Sequence, residues 1–409
     1  MFIRSTNFCV TFLLLLCFFS SSFSTIPAQD NKKIDEAMKA FDAFYKDELK
    51  KYSIVGSSFA FVHDNQVVDK QFYGMAHITN KYPVDEDTIY HWASISKTFT
   101  GIAIMQLRDR GRLRLDDPII KYVPEIKMVH DPYGDTSEIT IAQLLSHTAG
   151  FRAATFPWGG EKDWYPSEPT KWSQLVAMMP YTEVEFKPGS KYSYSNLGIV
   201  FLGQVIERLS GEDFEVYMDK NVLRPLEMYH SFYDTTPYYL LKHRSHSYRI
   251  SPEGKMTEGR FDMDTGITVS NGGLNAPFPD MIKYLDFLIG NPKKQAEYDV
   301  VLKRSSLEEM FNPVMDVLDE PKNGQNRKDF IGTSFFIEDN FGQHFIGHSG
   351  YQNAFRTHLF YNPATRSAYI VAYNTYNNGA GSDPKATTDR MDQEIKEYLF
   401  QNIFPLLKK

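Results

Sequence analysis

The chain has 409 residues, of which 51 are acidic, 44 are Lys or Arg and two are Cys. A formal net charge of −7 with no basic run argues against nucleic acid or an anionic membrane as a partner. Both cysteines, Cys9 and Cys17, lie in an apolar N-terminal segment, so a processed chain would contain no disulfide, no thiol nucleophile and no cysteine-ligated metal.

The first 28 residues have the form of a secretory signal: one basic residue, Arg4, then an apolar core over residues 8–19 and a short run of small residues. The apolar core is shorter than the roughly 20 residues that a membrane-spanning helix needs. The sequence therefore predicts a secreted or periplasmic protein that has no stable membrane span after cleavage of residues 1–28. Lipid attachment at Cys17 is the disfavoured alternative, because Leu16 is a poor residue to precede a lipidated cysteine.

The segments that follow predict the start of a sheet. Apolar residues recur at helical spacing over residues 34–51, which indicates an amphipathic helix. Residues 55–62 and 67–73 predict two strands joined by a hairpin turn. Residues 88–93 are extended, and the helical pattern of residues 96–110 follows directly.

The first cluster of candidate site residues lies where this extended segment gives way to the helix. Ser94 would lie at the helix N-terminus, where unpaired N–H groups and the positive end of the helix dipole favour an alkoxide. Lys97 is three residues further along the same helical face, so its amine can reach the Ser94 hydroxyl. To act as a base near pH 7, this lysine needs a pKa about three units below its ordinary value of about 10.4, a shift that corresponds to ~4 kcal/mol. Burial and a polar neighbour can lower the pKa by this amount.

The middle of the chain is mainly helical from residue 98 to about residue 287. Thr140–Gln143 resembles a capping box, and residues 196–209 predict a helix. The long stretch over residues 156–169 has no periodicity, and loops of that length are uncommon unless they are functional. We therefore place this stretch at the mouth of a cleft as a hypothesis.

Strand character returns near the C-terminus, over residues 333–338, 355–361 and 368–374, before a last amphipathic helix at 387–404. A sheet that begins at one end of the sequence and finishes at the other implies discontinuous subdomains. The predicted division is a sheet subdomain from about 34–95 and 330–404, and a helical subdomain over about 96–329.

Two further polar clusters complete the candidate site. Tyr194 is a phenol that can relay a proton, and Asn196 is an amide that can fix Lys97 and a substrate. The third cluster is His348-Ser349-Gly350. The patterns Ser-x-x-Lys and Tyr-x-Asn also occur at Ser382–Lys385 and Tyr376–Asn378, in a loop with no helix to set the spacing. The evidence for a site therefore lies in the residues around the motifs and in the order of the motifs along the chain.

That context resembles the serine β-lactamase-related family, which contains class C β-lactamases, DD-carboxypeptidases, D-aminopeptidases and esterases. The segments that carry the resemblance are Tyr90–Thr100, Leu144–Gly150, Phe186–Gly189, Tyr192–Gly198, Ser270–Leu274 and Gly347–Gly350. The resemblance covers about residues 52–404. It implies an α/β (α+β) fold of the β-lactamase/transpeptidase type, in which terminal helices flank an antiparallel sheet and a mainly helical domain is inserted.

The resemblance also implies an acyl-enzyme mechanism without a cofactor or metal, acting on a small-molecule or peptide acyl substrate. Ser94 would attack a carbonyl, and Lys97 and Tyr194 would move its proton to the leaving group. Asn196 would orient Lys97 and the substrate. The oxyanion would lie between the backbone N–H groups of Ser94 and Tyr351, each donor worth about 3 to 4 kcal/mol.

The third motif departs from the β-lactamase pattern, in which a lysine begins it. Here His348 stands at that position, and with Gly350 it would line the substrate. A lysine is a permanent cation suited to a substrate carboxylate, whereas a histidine near pH 7 is mostly neutral. The expected activity is therefore that of an exported serine hydrolase of the carboxypeptidase, aminopeptidase or esterase type, with a β-lactamase or a noncatalytic penicillin-binding-like sensor or scaffold as alternatives.

Two other classes are less well supported. Gly347–Tyr351 resembles the Gly-x-Ser-x-Gly elbow of α/β-hydrolases, but its fifth residue is Tyr351 and a strand-like segment follows where a helix is needed. A metal site is not predicted, because His243 and His246 lie in a polar loop with no third ligand nearby in sequence. His147, in the run Leu144–Gly150, is expected to have a structural hydrogen-bonding role. The sequence carries no signal for an oligomeric state.

Overall fold

A nine-stranded antiparallel sheet forms the centre of the molecule, which we describe from a computed structural model over residues 28–155, 169–259, 261, 265–317, 327–379 and 384–407. Residues 1–27 of the predicted signal (1–28) and residues 156–168 of the predicted cleft-mouth stretch (156–169) lie outside the described residues. Among the helices of the described part, none has the length and apolar character needed to cross a membrane.

Both helices and strands occur along the described part of the chain. The helices are α1 (Ala28–Lys51), α2 (Ser96–Asp109), α3 (Ile141–Leu145), α4 (Trp172–Met178), α5 (Asn196–Ser210), α6 (Phe214–Met218), α7 (Val269–Gly272), α8 (Phe278–Ile289), α9 (Gln295–Val301), α10 (Arg304–Met310) and α11 (Thr388–Asn402). The strands are β1 (Gly56–His63), β2 (Gln66–His77), β3 (Tyr82–Pro83), β4 (Ile89–His91), β5 (Phe232–Tyr233), β6 (Tyr248–Ile250), β7 (Met256–Glu258), β8 (Leu274–Pro277), β9 (Met315–Asp316), β10 (Lys328–Ile331), β11 (Phe336–Asn340), β12 (Gln343–Gln352), β13 (Phe355–Asn362), β14 (Ser367–Tyr373) and β15 (Thr375–Asn377).

The central sheet joins the two ends of the chain. Its strand order is β3, β2, β1, β14, β13, β12, β11, β10, β9, and β1 pairs with β14 so that Phe59 lies opposite Val371. The β1–β2 hairpin turns at Asp64 and Asn65, whose φ angles of 46° and 64° are left-handed and suit a two-residue hairpin. The predicted sheet, begun at one end of the sequence and finished at the other, is confirmed.

Each face of the sheet is covered by helices. Side chains alternate between the two faces of a strand. On β1, Phe59 and Phe61 therefore pack with residues of α1 and α11, whereas Ala60 and Val62 pack with residues of α2, α5 and α8. All eight residues of β1 are buried, because helices cover both faces of the sheet at this strand. The predicted terminal helices that flank the sheet and the predicted inserted helices are both present, and they cover opposite faces of β1.

The helices that position the site begin and end where the sequence predicts. Thr140 and Gln143 form the predicted capping box at the start of α3. The Ser195 side chain caps α5 by accepting from the Gly198 N–H, and Gly211 ends it with a φ of 74°. Twelve of the 14 residues of α2 are buried, so its polar side chains must find partners inside the protein.

Two features of the fold differ from simple sequence interpretations. Gly347–Tyr351 lies in the middle of β12, paired with β13 and followed by no helix, so the α/β-hydrolase elbow is excluded. Strands β9 and β10 extend the sheet by two further strands at one edge, which the sequence analysis does not predict. Strands of two and four residues are too short to show an alternating pattern.

Candidate active site

Ser94 lies in a tight turn, Ala93–Ile95, that leads directly into α2. Ala93 has a φ of 47°, a left-handed conformation that costs a non-glycine residue roughly 1 kcal/mol or more. Buried hydrogen bonds hold this turn: the Trp92 N–H donates to the Leu274 carbonyl at 2.8 Å, and the Ser96 hydroxyl donates to the Ala93 carbonyl at 2.6 Å. The Ser94 side chain remains partly accessible while its backbone is fixed.

Lys97 is fully buried, and its amine has two hydrogen-bonding partners. Nζ lies 3.0 Å from Ser94 Oγ and 2.6 Å from the carbonyl oxygen of Asn271. Burial lowers the pKa of Lys97 well below its usual value, because the charged form loses its hydration. A neutral amine has two N–H groups and one lone pair. Since the Asn271 carbonyl can only accept, one N–H donates there and the lone pair can accept the Ser94 proton.

Asn271 reaches Lys97 because the short helix α7 packs closely against α2 and α5. The Thr100 hydroxyl donates to the Ser270 carbonyl at 2.7 Å. On the other side, a Cβ at Gly203 would lie 2.5 Å from the Ser270 hydroxyl, so only glycine allows this approach. Sequence reasoning marks the segment Ser270–Leu274 but misses this role, because the group that contacts Lys97 is a backbone carbonyl.

Tyr194 completes the group around Ser94. Its ring centroid lies 5.0 Å from the Nζ of Lys97, whose amine is the hydrogen-bonding partner of Ser94. Burial raises the pKa of the Tyr194 phenol, and the nearby Ser94 side chain offsets this only in part. At neutral pH the phenol therefore keeps its proton and can donate it. The structure brings Ser94, Lys97 and Tyr194 together from two distant parts of the sequence.

Asn196 is the first residue of α5, and its backbone N–H donates to the Ala153 carbonyl at 3.0 Å. Within the described part of the chain, the hydrogen bonds of the Lys97 amine go to Ser94 and Asn271, and none goes to Asn196. The predicted orientation of Lys97 by Asn196 is therefore not made here. The Asn271 carbonyl takes that place, and contact of Asn196 with a substrate stays a prediction.

His147 supports the Tyr194 segment from behind. Its Nδ1 accepts a hydrogen bond from the Ser195 N–H at 3.1 Å, and its ring centroid lies 4.5 Å from that of Tyr194. Burial, with Lys97 nearby, lowers the pKa of His147 well below its usual value, so the ring is neutral. Its contacts are those of a residue that positions Tyr194.

Strand β12 forms the other wall of the site. Strand β11 pairs with β12 only as far as Gly347, so in the described structure residues 348–352 have an unpaired edge beside the Ser94 turn. A Cβ at Gly350 would lie 2.3 Å from the Trp92 carbonyl oxygen, so glycine is required for this strand to approach the turn. The Tyr351 side chain is exposed and packs against Tyr376, with ring centroids 4.3 Å apart and planes tilted by 45°.

His348 is buried next to Tyr194 and is not a cation. Its Nδ1 donates to the Ser349 carbonyl at 2.6 Å, while its buried Nε2 has no hydrogen-bond partner among the described residues. Burial, with a smaller contribution from Lys97, lowers the pKa of His348 to about 3. The ring lies 5.0 Å from that of Phe336. This position therefore offers a neutral, largely aromatic wall where a lysine would offer positive charge.

Comparisons with known proteins agree on one family. The family profile described as "Beta-lactamase" matches residues 34–392. Protein flp of Staphylococcus aureus (strain COL) is 25% identical over 342 residues, which cover 83% of this chain and 64% of flp, so the chain spans less than two thirds of that relative. The octameric penicillin-binding protein homologue from Pyrococcus abyssi superposes with a TM-score of 0.70 at 25% identity, covering 83% of this chain and 73% of that chain. A class C beta-lactamase mutant superposes with a TM-score of 0.69 at 17% identity, covering 91% and 98%.

Proposed function

The chain belongs to the beta-lactamase family, and from this premise we propose that it is an exported serine hydrolase that forms an acyl-enzyme on Ser94. Its substrate is a small molecule or peptide with an amide or ester bond. The observation that carries the proposal is the buried Lys97 amine, 3.0 Å from Ser94 Oγ and held by the Asn271 carbonyl at 2.6 Å. A buried neutral lysine beside a serine hydroxyl is an activated nucleophile pair.

The acylation step divides the acid and base roles between two residues. The Lys97 lone pair takes the proton from Ser94 Oγ, and the oxygen forms a bond to the substrate carbonyl carbon. The resulting oxyanion accepts hydrogen bonds from the N–H groups of Ser94 and Tyr351. Tyr194, which is protonated at neutral pH, donates its proton to the leaving group as that bond breaks, and recovers one from Lys97. Water then repeats the sequence in reverse and releases the acid.

The wall formed by β12 indicates the substrate class. A β-lactam or a C-terminal peptide presents a carboxylate, for which a lysine at position 348 would be suited. The neutral His348 and the aromatic side chains of Phe336 and Tyr351 favour an uncharged substrate. A noncatalytic sensor is the weaker alternative, because such a protein would not need a buried lysine that is hydrogen-bonded to an accessible serine.

A substrate panel with a matched pair tests this proposal. We expect turnover of a short-chain nitrophenyl ester and of D-amino acid amides, and little turnover of a chromogenic cephalosporin. Within the pair, a D-alanyl-D-alanine peptide with an amidated C-terminus should be cleaved at least as well as the free acid, measured as kcat/KM. A strong preference for the free acid, or efficient cephalosporin hydrolysis, would contradict the substrate class. If none of these substrates is turned over, the result would count against the proposed hydrolase activity.

Replacing Gly350 with alanine should lower activity by displacing β12 from the Ser94 turn, without removing any reacting group. The added Cβ would meet the Trp92 carbonyl at 2.3 Å and push β12 away from the Ser94 turn. A displacement of about 1 Å at a reacting group can cost on the order of 100-fold in rate. We expect such a loss in kcat/KM for the nitrophenyl ester. The control is Gly134→Ala, whose Cβ would first contact a Glu138 carboxylate oxygen at an ordinary 3.4 Å; equal activities of the two variants would refute the close approach.

Export rests on the N-terminal 28 residues and is part of the proposal. Protein recovered from its own host should lack this segment, and its intact mass should correspond to a chain that begins near Gln29. An unprocessed chain that retains residues 1–28 would remove the basis for an extracytoplasmic location.

A further inference from the structure

A second cluster of reactive side chains lies outside the Ser94 site. His77 is far in sequence from His246 and Glu258, which are 12 residues apart, but one possible ligand atom from each of the three lies within 4.8 Å of the other two. Sequence reasoning rejects a metal site around His246 because no third ligand is near it along the chain. Folding supplies two.

The backbone positions of this cluster are fixed by main-chain hydrogen bonds. His77 is the last residue of β2, and its neighbour Ala76 accepts from the His246 N–H at 2.8 Å. Glu258 is the last residue of β7 and pairs with Tyr248 of β6. The cluster therefore joins the end of the large sheet to the β6–β7 hairpin, and its members do not depend on a long loop for their placement.

The side chains leave donor atoms available for a ligand. The His77 and His246 rings stack face to face with centroids 3.5 Å apart and planes 8° apart, a geometry in which their nitrogens cannot hydrogen-bond to each other. His246 Nδ1 contacts a Glu258 carboxylate oxygen. The rings of Phe261 and Tyr82 pack against His246 and His77. Both histidines are half-buried and Glu258 is exposed, so an ion can enter from solvent.

We propose that His77, His246 and Glu258 bind a divalent transition-metal ion, with zinc as the best match. Two imidazole nitrogens and one carboxylate oxygen form a recognised zinc donor set, and water completes the tetrahedron. Zinc bonds of roughly 2.0–2.2 Å place ligand atoms about 3.3–3.6 Å apart. The three donors lie within 4.8 Å, and binding requires one imidazole to rotate out of the stack, so that both nitrogen lone pairs point at the ion, as the donors move about 1 Å closer together.

The ion has a structural role in this arrangement. It ties the β6–β7 hairpin to the end of β2, in the small sheet where β15 pairs with β6. Tyr376 of β15 packs against the Tyr351 ring, so the same sheet supports one wall of the Ser94 cleft. The three ligands themselves do not contact Ser94, Lys97 or Tyr194. The inference is therefore independent of the proposed hydrolase activity.

Zinc binding to the full chain without a histidine tag tests the proposal. After treatment with EDTA and its removal by dialysis, wild type should bind one Zn²⁺ per chain in isothermal titration calorimetry and should unfold at a higher temperature with zinc than without. Cobalt should give visible absorption bands typical of a tetrahedral site. The double variant His77→Ala/His246→Ala should lose the stoichiometric site, whereas His243→Ala, in the same loop, should keep it.

A single substitution at an exposed ligand separates loss of zinc binding from loss of the folded structure. Glu258 is exposed, so Glu258→Gln should fold normally, as circular dichroism can check, and still weaken zinc binding. Removing even an outer-shell partner of a metal ligand costs about 10- to 100-fold in affinity, so losing a direct ligand should cost at least as much. No zinc uptake by wild type, or equal uptake by wild type, Glu258→Gln and the double variant, would overturn the site.

Discussion

The variant Ser94→Ala should lose turnover of the nitrophenyl ester by roughly 10⁴- to 10⁶-fold in kcat. Without Oγ, no acyl-enzyme can form, and Lys97 has no hydroxyl to deprotonate. The residual rate over water would come from the N–H donors and from substrate binding alone. Steady-state kinetics of wild type and variant, normalised to folded protein, measure the loss.

Ser349→Ala is the matched control for this prediction. Ser349 lies on β12 in the third motif, but it pairs across the sheet with His358, on the face opposite to its neighbour His348. It should retain most of the wild-type activity. If Ser349→Ala lost activity while Ser94→Ala kept it, the nucleophile would have to be reassigned.

The variant Lys97→Met should lose activity and gain stability at neutral pH. Methionine is close to lysine in length but cannot take the Ser94 proton, so we expect kcat to fall by at least about 10³-fold. In the native protein Lys97 is buried with a pKa well below its usual value. An unfolded chain hydrates and protonates this amine freely, so the wild-type residue opposes folding near pH 7 and methionine does not.

The lowered pKa of Lys97 also determines how the free energy of unfolding changes with pH. Between the lowered pKa of Lys97 in the native state and about 10.4 in the unfolded state, the unfolded chain binds one more proton than the native protein. The free energy of unfolding contributed by this group therefore rises with pH across that window, by up to about 1.4 kcal/mol per pH unit. Lys97→Met should remove that contribution.

Urea unfolding between pH 6 and pH 9 measures this contribution. The stability difference between Lys97→Met and wild type should be largest at pH 6 and shrink as pH rises. Lys127→Met, which changes an exposed lysine, should run parallel to wild type. A Lys97→Met curve that is also parallel to wild type would mean that Lys97 stays protonated in the native protein.

The pH dependence of wild-type kcat/KM should also reflect the protonation state of the Lys97 amine. Acylation needs the neutral amine, so kcat/KM should rise with pH through the lowered pKa of Lys97 and reach a plateau well below the pH at which an ordinary lysine loses its proton. His348 should not shape this profile above about pH 4, because its pKa is about 3. A rate that rises only near pH 10 would indicate an unperturbed lysine.

The residues of the candidate site that sequence reasoning identifies are those whose side chains carry the chemistry. Ser94 and Lys97 are three residues apart at the start of a helix, and local spacing alone brings them together. Tyr194 could be assigned because its order relative to the other motifs matches the family. The sheet could be predicted because alternating and continuous apolar runs mark β1, β13 and β14.

The parts that could not be predicted depend on backbone atoms or long-range packing. The Asn271 carbonyl that holds Lys97 has no side-chain signature, and its position depends on the packing of α7 against α2. For the same reason the sequence predicts a contact between Asn196 and Lys97 that the structure does not make. The cluster of His77, His246 and Glu258 forms only when β2 meets the β6–β7 hairpin.

The most direct measurement of the central claim is intact-mass analysis after treatment with a fluorophosphonate, followed by peptide mapping of the adduct. We expect one adduct per wild-type chain, located on Ser94, with no adduct on Ser94→Ala and much slower labelling of Lys97→Met. An unlabelled wild-type protein, or an adduct that persists in Ser94→Ala, would contradict the assignment of Ser94 as a nucleophile activated by Lys97.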